Sequence, residues 1–135
     1  MRLIALLLSL VLLACGDSPP PLEPPEDYAG TYEMIAINGA PLPFLLLEDD
    51  DGDTVEVISG AVVLRADQSF EDRAMLRFTE AGVALPDEAD VITGTFTVTG
   101  GRVRFTTSEG FTYEAVVAGD VMTQTFDGII LTYRR

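Results

Sequence analysis

The chain has 135 residues with 22 acidic and eight basic side chains, a net charge of −14, and every basic residue is an arginine. Such an acidic chain repels nucleic acid and anionic lipid headgroups. Without histidine or lysine, and with a single cysteine, it lacks the parts for a Ser-His pair, a Schiff base or an ordinary zinc site. The length allows one ordinary domain plus a tail.

Arg2 opens the sequence with a positive charge, and Leu3 to Ala14 is apolar except for Ser9. This is the pattern of a secretory signal segment, residues 1–14. As a signal helix the apolar run would reach roughly 18 Å, well short of the about 30 Å of a bilayer core. The run Leu12-Leu13-Ala14-Cys15-Gly16 resembles the lipobox of bacterial lipoproteins, in which cleavage precedes a cysteine that then carries lipid. The resemblance implies lipidation of Cys15, a tether to the membrane through acyl chains, and a place in the bacterial cell envelope. Asp17 stands one place beyond the position of an inner-membrane retention aspartate, which favours the outer membrane. Removing residues 1–14 leaves seven arginines against 22 acids, a net charge of −15.

Residues 15–27 follow as lipidated Cys15 and a tether, GDSPPPLEPPED after the cysteine, with five of the eight prolines. In extended polyproline form, at about 3.1 Å per residue, these twelve residues would span roughly 37 Å. A proline-motif ligand for a partner domain is the other reading of such a stretch.

From Tyr28 to Arg135 the apolar pattern has period two, broken by turn residues, and no helical stripe appears. The first strand is Gly30 to Ile37, with Tyr32, Met34 and Ala36 inward. Thr54 to Ala66 carries Val55 and Val57 on one parity but Val62 and Leu64 on the other, so a β-bulge is expected at Gly60. Ser69 to Thr79 turns Phe70, Asp72, Ala74, Leu76 and Phe78 inward. Val91 to Thr99 alternates Ile92, Gly94, Phe96 and Val98 against four threonines, giving one dry and one wet face. Gly100-Gly101 makes a hairpin turn into Arg102 to Thr107, and Phe111 to Ala118, Val121 to Phe126 and Ile129 to Arg134 complete a meander.

The eight strands predict an all-β, antiparallel, up-and-down barrel, because an even number lets last pair with first and removes both edges. Turns then alternate between the ends. The long connections, Asn38 to Asp53 and Glu80 to Asp90, fall at one end, and the tether enters at the other among the tight turns. The membrane-distal end is therefore expected to be the open mouth.

With Gly30-Thr31-Tyr32 opening the first strand and Arg134 closing the last, the domain resembles the small lipocalin-like domains of bacterial lipoproteins. That family has tryptophan where Tyr32 stands and sets an arginine across its ring. The resemblance implies a small apolar molecule bound inside the barrel.

The inward side chains either fill the barrel or line a pocket. Candidate lining residues are Tyr32, Met34, Asp72, Phe96, Phe105, Tyr113 and Gln124. Asp72 and Gln124 place polar groups inside, where they need partners, each other, a tyrosine hydroxyl or a ligand. Glu48 to Asp53 has the composition of a calcium loop, and Asp49, Asp51 and Asp53 are weak metal candidates. EF-hand spacing would demand an acid at Leu47, so the loop reads better as solvated. No cofactor and no catalytic residue is assigned, since a carboxylate pair would need a second inward acid near Asp72 and the pattern offers none. Two functions stay open: a membrane-tethered module binding a small apolar or amphipathic ligand, or a filled barrel whose acidic loops engage another envelope protein.

Overall fold

The computed structural model describes residues 18–135; the signal segment and Cys15 lie outside the described residues. After a 3₁₀ turn at Pro25–Asp27 come ten strands: β1 Gly30–Ile37, β2 Phe44–Glu48, β3 Thr54–Leu64, β4 Ser69–Glu80, β5 Val83–Ala84, β6 Glu88–Thr99, β7 Arg102–Thr107, β8 Thr112–Ala118, β9 Val121–Phe126 and β10 Ile129–Arg134. All pairings are antiparallel, and the ring β1-β10-β9-β8-β7-β6-β4-β3 closes through β3 with β1. The eight expected strands thus form the closed barrel, and β2 and β5 are additions. β2 continues along the upper edge of β3, where β1 has peeled away, and β5 caps the tip of β4.

Two bulges set which side chains face in. β3 is bulged, but at Ile58, between Val57 and Ser59, not at Gly60. The extra residue puts Val57, Gly60, Val62 and Leu64 on one buried face. Gly60 serves another purpose: a Cβ there would lie 2.7 Å from Met34 Cε and 3.3 Å from the Arg73 carbonyl oxygen. The second bulge, between Met34 and Ala36 in β1, has no glycine to announce it. It turns Ile37 inward, 1 % exposed, in the place expected for Ala36.

The core occupies the lower part of the barrel. Tyr32, Phe70, Phe96, Val98, Val103 and Phe105 are almost wholly buried, and such filling is where the hydrophobic stabilisation of a small barrel comes from. The tight turns close this end. Gly100 and Gly101 both take positive φ, 58° and 74°, as a two-residue turn matched to the twist of its strands requires.

The tether is held more firmly than its composition suggests. The Glu23 N–H donates to the Val98 carbonyl (2.9 Å), and its carboxylate accepts from the Gly101 N–H (3.0 Å) and the Tyr28 hydroxyl (2.9 Å). These donors hold the Glu23 carboxyl below the usual carboxylate range. From Glu23 onward the chain therefore belongs to the barrel's closed end, so the last five of the twelve residues expected to form a tether pack on the domain.

The arginine over Tyr32 is Arg135, not Arg134. Its guanidinium carbon sits 5.4 Å from the ring centroid, and the group donates to the carbonyls of Asp27 (3.1 Å) and Ala29 (3.2 Å). Arg134 points outward to Asp120 at 3.9 Å, because strand alternation puts Tyr133 in and Arg134 out.

Candidate functional site

Above the filled core the barrel is hollow. A cavity of about 410 Å³ opens toward the end that carries the long connections, opposite the tether. Its walls are apolar, from Met34 and Ile37 on β1, Val57 on β3, Leu76 on β4, Ile92 on β6 and Leu131 on β10. The upper half of β6 has no partner on the β7 side, where pairing starts only at Gly94–Thr107. The last link there is the Ser108 N–H to the Thr93 carbonyl, 2.8 Å. A second, more polar recess of about 560 Å³ opens through that gap and shares Asp90, Ile92, Tyr113 and Phe126 with the first. The two recesses adjoin across these four residues.

A polar network lies on the cavity floor. The Tyr133 hydroxyl donates to Gln124 Oε1 and the Tyr113 hydroxyl to Asp72 Oδ2, each at 3.1 Å. With its oxygen engaged by Tyr133, the Gln124 amide presents its N–H groups to Asp72 and Tyr113. Below them Tyr113 stacks on Phe105 (4.7 Å between centroids, 18°), and Phe70 meets Phe105 edge-on (4.8 Å, 71°). Burial pushes the Asp72 carboxyl above its ordinary value, against the hydrogen bonds from Tyr113 and Gln124, and nearby Asp90 adds to the rise. Burial likewise raises both tyrosines.

Four of the seven candidate lining residues, Met34, Asp72, Tyr113 and Gln124, line the cavity. Tyr32, Phe96 and Phe105 do not: all three face inward, but they lie in the filled lower core. Alternation assigns a face, whereas height along the axis depends on strand tilt and register. Asp90 was missed. It shares the parity of Ile92 and Phe96, but β6 begins at Glu88, three residues before the expected Val91, so the connection read as loop carries an inward acid. The expectation of no second inward acid is thereby corrected. Tyr133 was legible by the same alternation through Ile129 and Leu131.

The acidic loop folds on itself. Asp49 Oδ1 accepts the N–H groups of Asp51 and Asp53, both at 3.0 Å, and Asp53 Oδ1 accepts that of Ala81 at 2.8 Å. Asp49, Asp51 and Asp53 do not converge, and among the described residues no group of three or more acids, histidines or cysteines is placed to hold a metal ion.

No protein-family model, curated protein or solved structure matches the chain.

The Asp72 environment makes a pH prediction. A carboxyl raised in the folded state favours the protonated form, so its contribution to stability is complete below the unfolded-state value and is lost as pH rises through the folded-state value. Asp72→Asn keeps an acceptor for Tyr113 without the charge. Thermal unfolding from about pH 4 to about pH 8 should show the variant and the parent alike at the acid end, with the variant increasingly more stable above it. Equal midpoints throughout would remove the buried-charge account.

Proposed function

We propose that the chain is an envelope lipoprotein, anchored through Cys15, whose barrel binds a small apolar or amphipathic molecule. The observation that carries the ligand reading is the cavity of about 410 Å³, inside the roughly 300–1,000 Å³ of small-molecule sites. It is apolar except for a few convergent polar groups, the usual pattern of such sites. Gly30-Thr31-Tyr32 with Arg135 over the ring supports the likeness to lipocalin-like domains.

Glu23, the first residue fixed on the barrel, sits at the end opposite the cavity. Cys15 and Glu23 are eight residue steps apart, which caps their separation at roughly 28 Å for about 3.5 Å per step. The closed end would face the membrane at that distance or less, and the mouth would point away from it.

Cys15→Ser tests the anchor. The unsubstituted chain should fractionate with membranes and yield an acylated N-terminal fragment by mass spectrometry, and the variant should yield no acylated fragment. An unmodified Cys15 peptide from the parent protein would overturn the lipoprotein reading.

A second reading, docking of another envelope protein, is favoured by the mouth's surface. Phe111 and Phe126 are 68 % and 64 % exposed, and together with exposed Val91 they line the side recess. Contiguous exposed apolar surface marks an interaction site or a ligand entrance, and here it borders the cavity.

A further inference from the structure

The cavity's charges are all of one sign. Among the described residues, Asp72 on β4 and Asp90 on β6 are the only charged ones lining it, and the other titratable groups facing it are the phenols Tyr113 on β8 and Tyr133 on β10. β1, β2, β3 and β9 contribute Met34, Ile37, Leu46, Val57, Gln124 and Phe126, none of them ionisable.

The seven described arginines are all engaged elsewhere. Arg65 and Arg73 meet Glu71 (3.6 and 3.0 Å), Arg77 meets Asp87 (2.8 Å), and Arg102 and Arg104 meet Glu114 (2.9 and 3.2 Å). Arg134 faces Asp120, and Arg135 covers Tyr32. Among the described residues no arginine lines the cavity, so its walls offer no cation to a carboxylate or phosphate headgroup. An anionic amphiphile would bring a like charge against Asp72 in a poorly hydrated space, which is costly.

Resting on the proposed ligand site, we infer that the cavity selects amphiphiles with a protonated amine, the ammonium seated on Asp72 and the apolar body against the walls. An ammonium has three donors and no acceptor. The floor offers the Asp72 carboxylate and the lone pairs of the Tyr113 and Tyr133 hydroxyl oxygens. The Tyr113 hydroxyl hydrogen points at Asp72 and Tyr133 holds the Gln124 oxygen away from it, which offsets part of the cost of a buried negative charge there, and a seated cation offsets the rest. With a water's share of liquid volume at about 30 Å³, the cavity holds on the order of a dozen non-hydrogen atoms. The mouth acids, Asp49 to Asp51, Asp53, Glu88 and Asp90, add a field that draws cations and turns anions away.

The chain has no tryptophan and four tyrosines, two of them on the cavity floor, so its ultraviolet emission reports this site. The full chain in zwitterionic phosphatidylcholine vesicles is titrated at neutral pH with octylammonium, octanol and octanoate. The Ala74→Phe chain, its cavity filled, supplies the blank for partition into lipid. A hydrogen bond to a charged group contributes about 1.5–3 kcal/mol, so octylammonium should bind about tenfold to a hundredfold tighter than octanol, and octanoate weakest. Asp72→Asn should bring octylammonium and octanol to parity while octanol is unchanged. Octanoate binding as well as octylammonium, or the ammonium preference surviving Asp72→Asn, overturns the charge selectivity and leaves the cavity as a ligand site. Failure of all three to give a saturable change over the blank overturns the ligand site itself.

Discussion

Replacing Gly94 with valine is expected to prevent the barrel from forming, and even Gly94→Ala should cost about 3 kcal/mol or more, the upper range of overpacking. Gly94 pairs with Phe70 on β4 and Thr107 on β7. A Cβ there would collide with the Thr106 carbonyl oxygen and lie 2.8 Å from Thr107 Cα and 2.9 Å from Phe70 Cε1. Two of these atoms are backbone on a paired strand, and the third belongs to the aromatic cluster under the cavity floor. None can move without breaking the β6–β7 pairing or the Phe70–Phe105 contact. Since domains of this size are stable by only about 5–15 kcal/mol, the alanine variant should lose a large part of its stability and the valine variant all of it. Urea unfolding followed by circular dichroism measures this, with exposed Thr95→Ala as the neighbour expected to change little. A Gly94→Ala protein within about 1 kcal/mol of the parent would mean that the strands separate more easily than their pairing implies.

Ala74→Phe is expected to weaken ligand binding roughly tenfold to a hundredfold while leaving the fold intact. Ala74 lies between Asp72 and Leu76 on β4, and all three line the cavity; its partners across the sheet are Gly60 and Asp90. Its side chain borders open space, so a phenyl ring enters the void instead of displacing core atoms, and unfolding should be unchanged or slightly harder. A ligand must then displace the ring or be excluded. At the about 1–3 kcal/mol of an overpacking clash, affinity should fall roughly tenfold to a hundredfold. A neutral apolar fluorophore such as N-phenylnaphthylamine, which avoids repulsion by the acids, reports the loss directly. Equal fluorophore binding by both proteins would place its site outside the barrel, at the exposed Phe111 and Phe126 for example.

Alternation of apolar and polar residues was enough to read the eight barrel strands, the tether end and the long-loop end. It works because each strand has one dry and one wet face, so a residue's parity is an energetic choice. What it could not supply was anything that breaks or offsets the count. The bulge in β1 exchanges Ala36 for Ile37 with no glycine to mark it, and the bulge in β3 sits at Ile58, two residues from the glycine that seemed to mark it. β2 lies in what reads as a loop, because Phe44-Leu45-Leu46-Leu47 has no alternation. The early start of β6 hid Asp90. Height was hidden as well: Tyr32, Phe96 and Phe105 share the inward face with Met34 and Tyr113, and only the register of the closed ring separates core from cavity. The polar pair Asp72 and Gln124 was legible because burying such groups needs partners, and the structure supplies Tyr113 and Tyr133.

If the upper barrel is the proposed ligand site, the protein should retain its ligand on isolation. Native mass spectrometry of the full-length protein purified from its own organism reads this out. A fraction of chains should carry one additional small molecule, depleted from an Ala74→Phe protein prepared identically. The bare protein mass alone from both preparations, or the same adduct on both, would contradict it.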